Sequence, residues 1–196
     1  MSSSKPSIPS ASLPWGPGWR WPIPDIVLDG VAYPAVISQE FHAPAHMGVD
    51  LMYHRRSIDD QVAKWGPGKG GTTQFFCPDG VDVIACRDAR IWSVDKGPRG
   101  ISIVLDHGSP WATFYTHLSS TMFPPHQSGF PGGDRTKTPT TVRAGDSIGK
   151  IGIDPLDGSK VRHLHFVPWY NGHGDSAAVD PGAEMMMHWA RETQTL

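Results

Sequence analysis

The sequence predicts an all-β, β-dominated domain, with a central antiparallel β-sheet carrying long loops and a few short helices. Three observations predict it. The 196 residues include 22 Gly and 19 Pro against only 18% charged residues, a composition of many turns and few long amphipathic helices. Apolar and polar residues alternate with period two over several short runs, as in half-buried strands, whose successive side chains point to opposite faces. Turn residues punctuate those runs, as at Gly97-Pro98-Arg99-Gly100 and Gly108-Ser109-Pro110. A chain of this length buries a core without disulfide support.

Residues 1–21 are rich in Ser, Pro, Gly and Trp and read as an irregular segment, with Trp15, Trp19 and Trp21 expected to pack across the domain surface. Residues 22–196 are expected to form one domain with insertions near 53–79 and 121–141. In the first insertion, Ser57–Lys64 is a helix candidate with Ser57 as N-cap, and Arg55 and Arg56 read as solvated charges. The framework strands are Val81–Ala85, Arg90–Val94, Ile101–Asp106 and Trp111–His117. In the last of these, alternation puts Phe114 on one face and Tyr115 with His117 on the other. Val142–Gly152 returns to turn-plus-strand grammar after the long loop. A short helix is expected at Ala183–Ala190, where Met185-Met186-Met187 reads as packing material.

The charge balance excludes one function class. Seventeen Lys+Arg against 19 Asp+Glu give a net charge of -2, with no basic stripe of the kind nucleic-acid binding needs. No run approaches the length of a membrane span, and the amino terminus lacks the apolar stretch of a cleavable secretory signal. The two cysteines, Cys77 and Cys86, read equally well as a bridge or as two free thiols.

Two stretches carry chemistry. Val161–Val167 contains His163-Leu164-His165-Phe166, which reads as a strand with both histidines on one face and Leu164 and Phe166 in the core. Two imidazoles on a rigid platform suit a metal, and zinc takes imidazole nitrogen readily. His46 and Asp50 stand four apart with Gly48 between them. Pro44 and Gly48 disfavour a helix there, so the pair is expected on a turn leading into a strand. His42, His54, His107, His126, His173 and His188 attract no role, although His107 is expected to close a strand at a turn.

Five pieces, His46–Leu51, Val83-Ile84-Ala85, Tyr115–Leu118, Val142–Gly149 and His163–Phe166, occur in the order that resembles the lysostaphin/LytM-like zinc metallopeptidases, which cut peptide bonds in peptidoglycan. The resemblance implies that His46, Asp50 and His165 hold one Zn2+ per chain, with water in the open fourth position of a catalytic site. It implies that His117 and His163 flank the scissile carbonyl, one as proton acceptor and one as hydrogen-bond donor to the oxyanion, with the two roles undivided between them. Strand alternation places Tyr115 on the same face as a third catalytic candidate.

The implied function is hydrolysis of stem or cross-bridge peptide bonds by a zinc-bound water. The partner is then a peptidoglycan peptide and the place of action the bacterial cell wall, reached as a phage- or virion-borne protein or by non-classical export. Oligomeric state is not legible. The alternative is a non-catalytic peptidoglycan-binding or regulatory module on the same fold. A cupin-type oxygenase also uses His-x-His, but it wants a Glu three or four residues on, where Pro168 and Trp169 stand. Phe41-His42-Ala43-Pro44 departs from the Phe-Gly and arginine frequent in the family, and both insertions are longer than usual, which leaves the cross-link open.

Overall fold

The computed structural model describes residues 19–57, 59, 61–124 and 140–182. Strands β1 (Ile26–Leu28) and β2 (Val31–Tyr33) form a two-stranded ribbon. The main sheet contains β3 (Ala35–Gln39), β4 (Val49–His54), β5 (Phe75–Phe76), β6 (Asp82–Ile84) and β7 (Ala89–Gly97). It continues with β8 (Gly100–Asp106), β9 (Trp111–Ser120), β10 (Thr141–Val142), β11 (Ser147–Ile153) and β12 (Arg162–Tyr170). The path runs β10-β7-β8-β9-β11-β12-β4-β3, with β9 also paired to β12, β5 to β4 and β6 to β11. Every pairing is antiparallel. The β-dominated fold expected from the sequence is therefore the one observed.

Period-two patterning divides the sheet's two faces. Ile103, Leu105, Tyr115, Leu118, Leu164 and Phe166 are buried in the main core, beside Leu51, Tyr53 and Phe76. Val104, Ala112, Val167 and Trp169, from alternate positions of the same strands, form a second, smaller cluster. Phe114 joins it by stacking on Trp169 at 5.2 Å and 11°. The β7–β8 hairpin turns through Pro98 and Arg99, its ends joined by the Gly97–Gly100 pair. Gly100 has φ +93, a left-handed conformation that costs glycine least.

Two expectations for the first insertion change. The helix α1 spans only Val62–Trp65, with Gln61 rather than Ser57 at its N-cap, in the left-handed region. Its buried residue, Trp65, stacks on Phe76 at 5.6 Å, and one docked aromatic rather than a helical face sets its extent. Arg55 is not a solvated charge: it is 3% exposed. Its Nη2 donates to Trp65 O (2.6 Å) and Thr72 O (2.9 Å), and its Nε donates to Thr72 O (3.0 Å). The planar guanidinium fork thus ties the loop back to β4. Arg56 donates to Ala32 O at 2.6 Å.

Trp19 is buried and Trp21 packs against the core, as expected of these residues. Both cysteines are free and buried. The Tyr115 hydroxyl donates to Cys86 Sγ at 3.1 Å, and burial pushes the Cys86 thiol up to about 12, so it stays protonated and inert. No helix among the described residues is long and apolar enough to cross a membrane. Trp15, His126, His188, Met185-Met186-Met187, the Ala183–Ala190 helix candidate and most of the 121–141 loop lie outside the described residues.

His107 closes the β8–β9 turn, its amide donating to Trp111 O at 3.1 Å. Its Nδ1–H donates to Asp88 O (3.0 Å), its Nε2 lies 2.7 Å from Thr113 Oγ1, and Trp19 packs on the ring at 5.0 Å. Burial pushes this imidazole down to about 4. In the unfolded chain a histidine titrates near 6.5, so below that pH the unfolded state binds the extra proton and stability falls as pH falls. The loss is expected between about pH 6.5 and 4 and to reach about 3 kcal/mol. Urea unfolding of native protein and His107→Gln across that window checks it, the variant being expected to lose less stability on acidification.

Candidate metal centre

The strand register brings the chemistry together. Asp50 on β4 is the direct cross-strand partner of His165 on β12, and His165 is in turn opposite Thr116 on β9. Directly opposed residues of antiparallel strands have their Cβ atoms about 4.5–5.5 Å apart, so a carboxylate and an imidazole in this register meet. Leu164 and Phe166 anchor β12 from the core side, fully buried. The alternation read from the sequence therefore holds on this strand. His46 precedes β4 in a loop closed by reciprocal backbone bonds with His42, at 2.8 and 2.7 Å, the turn-into-strand placement that was expected.

His46 Nε2 lies 3.0 Å from Asp50 Oδ1, His165 Nδ1 lies 2.9 Å from the same oxygen, and the two nitrogens are 3.1 Å apart. These three atoms are the group among the described residues able to hold a metal ion. Atoms about 2.0–2.1 Å from a shared tetrahedral centre stand about 3.3–3.4 Å from one another, close to what is seen here. The protonation pattern fits as well. His46 Nδ1–H donates to Glu40 O at 2.9 Å, which leaves Nε2 of the neutral ring as an acceptor facing the Asp50 carboxylate oxygen. Two facing acceptors need a positive charge between them, whether a proton or a metal. The electrostatics agree: burial would raise the Asp50 carboxyl, but its close pairing with the His165 and His46 rings outweighs that and holds the group well below the usual carboxylate range. The Asp50 hydrogen bond raises His46 in return, against the opposing effect of burial.

Gly48 is required by close approach. A Cβ there would stand 2.8 Å from His165 Nε2, Phe166 O and Val167 Cγ2. The residue between His46 and Asp50 thus lets β12 and the His165 ring pack against the chain that carries both.

His117 and His163 lie beside the triad, their rings 4.8 Å apart at 61°. His163 Nδ1–H donates to Val161 O at 3.2 Å, and its Nε2 lies 3.7 Å from Asp50 Oδ2. His117 Nδ1–H donates to Arg99 O at 3.0 Å. Burial, reinforced by the neighbouring His163, pushes His117 down to about 4, so at neutral pH it is an unprotonated acceptor. The cluster lines a groove of about 610 Å³ that also includes Phe114, Thr116, Arg99 and Asp154.

The structure unites His46, Asp50, His117, His163 and His165, but it does not bring Tyr115 to them. Tyr115 is fully buried, its hydroxyl on the Cys86 amide (3.1 Å) and thiol, on the face away from the groove. The cause is a bulge. Residues 101 and 103 of β8 pair with 118 and 115 of β9, one extra residue on β9, and His117 adopts φ +67. The alternation breaks there, so Phe114, Thr116 and His117 all reach the groove while Tyr115 and Leu118 enter the core. Gly152 of β11 makes room for the bulge, since a Cβ would stand 2.6 Å from His117 O.

Sequence reasoning missed Asp154 and Arg99. Asp154 is 4% exposed, its Oδ2 held by Arg99 Nη1 and 3.9 Å from His117 Nε2. A lone acid after a strand carries no signal of its own. The available hint was its place at the end of the strand that pairs with the His-x-His strand.

Comparison with known proteins bears on the family and the fold. No curated protein matches the chain. The family model described as peptidase family M23 matches residues 69–181, more than half of the chain, a span that includes His117, His163 and His165 but not His46 or Asp50. Solved structures with a similar fold include LytU, at 19% identity and a TM-score of 0.52 over 80% of this chain and 89% of that one. The SpoIIIAH–SpoIIQ complex gives 16% identity and a TM-score of 0.53 over 83% and 96%. The antimicrobial peptidase lysostaphin from Staphylococcus simulans gives 22% and 0.50 over 80% of this chain but 50% of its own. With the matched span carrying the β7–β12 framework and three of the five clustered residues, the chain belongs to peptidase family M23.

Proposed function

We propose that the chain is a zinc-dependent endopeptidase that hydrolyses peptide bonds in the stem or cross-bridge of bacterial peptidoglycan. The observation that carries the reading is the convergence of His46 Nε2, Asp50 Oδ1 and His165 Nδ1 within 3.1 Å, with His117 and His163 in the same groove. Membership of a peptidase family supports the reaction class, and the resemblance in the five sequence pieces supports the wall as substrate. Residues 22–196 then act as one peptidase domain behind the segment 1–21.

His46, Asp50 and His165 would hold a zinc ion, which when bound would supply Lewis acidity, lowering the pKa of water to about 7 and polarising a carbonyl. The chain's own residues do the rest. His117 and His163 each commit Nδ1–H to a backbone carbonyl, so each keeps Nε2 as an acceptor. One takes the proton of the attacking water at Nε2 and returns it to the departing amine. The other, when it has taken a proton from solvent at Nε2, would donate it in a hydrogen bond to the oxyanion of the tetrahedral adduct. Phe114 adds an apolar wall to the groove.

Mass spectrometry of peptides released from purified peptidoglycans of differing cross-bridge chemistry tests the reading. New amino termini are expected with the native protein and not after chelation of its metal. Release from no wall type, with wall binding retained, would replace the enzyme by the binding module.

A further inference from the structure

We propose that Asp154 and Arg99 are the positioning pair of His117, fixing its ring plane and tautomer so that Nε2 is presented to the groove. The catalytic use of His117 rests on the reading above; its placement does not. Arg99 sits at the tip of the β7–β8 hairpin, beyond the Gly97–Gly100 pair, and its side chain is 61% exposed. Its carbonyl accepts the His117 Nδ1–H, the bond that leaves Nε2 unprotonated in the neutral ring. A two-residue hairpin tip is ordinarily the least constrained part of such a ribbon. Here its side chain is tied down by Asp154 from the β11–β12 loop.

Asp154 is built for that task rather than for solubility. Its side chain is 5% exposed, although Ile153 and Leu156 beside it are 36% and 61% exposed. The Leu156 amide donates to Oδ1 at 2.9 Å and sets the carboxylate plane, while Oδ2 takes the Arg99 guanidinium. A buried carboxylate oxygen is costly without a cation, and the Arg99 guanidinium is the cation on Oδ2, so the pair holds the hairpin tip and the loop together. The chain of contacts runs from the Leu156 amide through Asp154 and Arg99 to His117 Nδ1. It joins the two loops that flank the bulge at His117, a residue whose φ of +67 makes it dependent on outside support. Neither Asp154 nor Arg99 touches the His46, Asp50 and His165 triad in any hydrogen bond or ion pair among the described residues.

The test uses the full zinc-loaded chain with Asp154→Asn, Arg99→Ala, the double variant and Arg99→Lys. Zinc content is expected to stay at the native level and KM within about twofold, while kcat falls about 10- to 100-fold, the usual cost of losing an outer partner. The double variant is expected to be no worse than either single one, because both remove the same contact, and Arg99→Lys to recover part of the rate. Imidazole nitrogen NMR supplies a readout that needs no turnover. Native His117 is expected as a single Nδ1–H tautomer, and Asp154→Asn and Arg99→Ala as a mixture of ring states. Native tautomer and native kcat in Asp154→Asn would overturn the pairing, as would a loss confined to KM or to zinc content. If the native protein cleaves no wall peptide, the endopeptidase reading fails, and the His117 tautomer in the variants still decides the pair.

Discussion

Replacing His165 by alanine is expected to remove the metal and the activity together, whereas replacing His117 leaves the metal in place and costs rate alone. The asymmetry follows from where each ring points. His165 Nδ1 is one of the three atoms converging on a common centre, 2.9 Å from Asp50 Oδ1 and 3.1 Å from His46 Nε2. Without it, one imidazole and one carboxylate remain, too few for a catalytic site of three protein ligands. His117 instead spends Nδ1–H on Arg99 O, and in the described residues it makes no hydrogen bond to the triad. On the proposed mechanism its loss removes either the proton acceptor or the oxyanion donor, and a positioned acid–base group is worth about 10²- to 10⁴-fold in kcat. Metal content by mass spectrometry, read beside peptide release, checks both halves. Zinc at the native level in His165→Ala, or loss of zinc in His117→Ala, would show that the ligand set is wrongly drawn.

Much of the site was legible because it lies on strands whose period is fixed. His163 and His165 share a face with Leu164 and Phe166 beneath them, as two-residue alternation requires. His46 and Asp50 could be placed on a turn and a strand because Pro44 and Gly48 disfavour the helix that their spacing alone would allow. The same rule misplaced Tyr115, because a single left-handed residue at His117 shifts the phase, and β-bulges have no reliable mark in one sequence. Arg55 escaped for a different reason: its partners are loop carbonyls, which every residue possesses, so its burial among them leaves no trace in residue type. Asp154 and Arg99 are 55 residues apart and meet only after the sheet is formed. Contacts that depend on register between distant strands belong to the fold, and the fold class alone does not specify them.

Gly48→Ala is expected to weaken metal binding while leaving all three ligand residues in the chain. The added Cβ would stand 2.8 Å from Val167 Cγ2, from Phe166 O and from His165 Nε2. Val167 can turn away by rotating a side chain. Phe166 O belongs to the backbone of β12, and the His165 ring is held on its other side by Asp50. Relief must therefore come from a shift of β12 or a rotation of His165, and either moves Nδ1 away from the point where the three ligand atoms meet. Overpacking of this kind costs about 1–3 kcal/mol, which in a chain of this size lowers Tm by about 2–4 °C per kcal/mol. Zinc affinity is expected to fall about 10- to 100-fold, as when an outer partner of a ligand is lost. Competition with a chelator of known affinity, alongside thermal melts of the metal-free protein, separates the two effects. Gly158→Ala is the control, because a Cβ there meets nothing within 4 Å; its stability is expected to stay within about 0.5 kcal/mol of native. Native zinc affinity in Gly48→Ala would mean that β12 yields without moving the His165 ring, and the tight packing between the two ligand-bearing segments would then have no part in holding the centre.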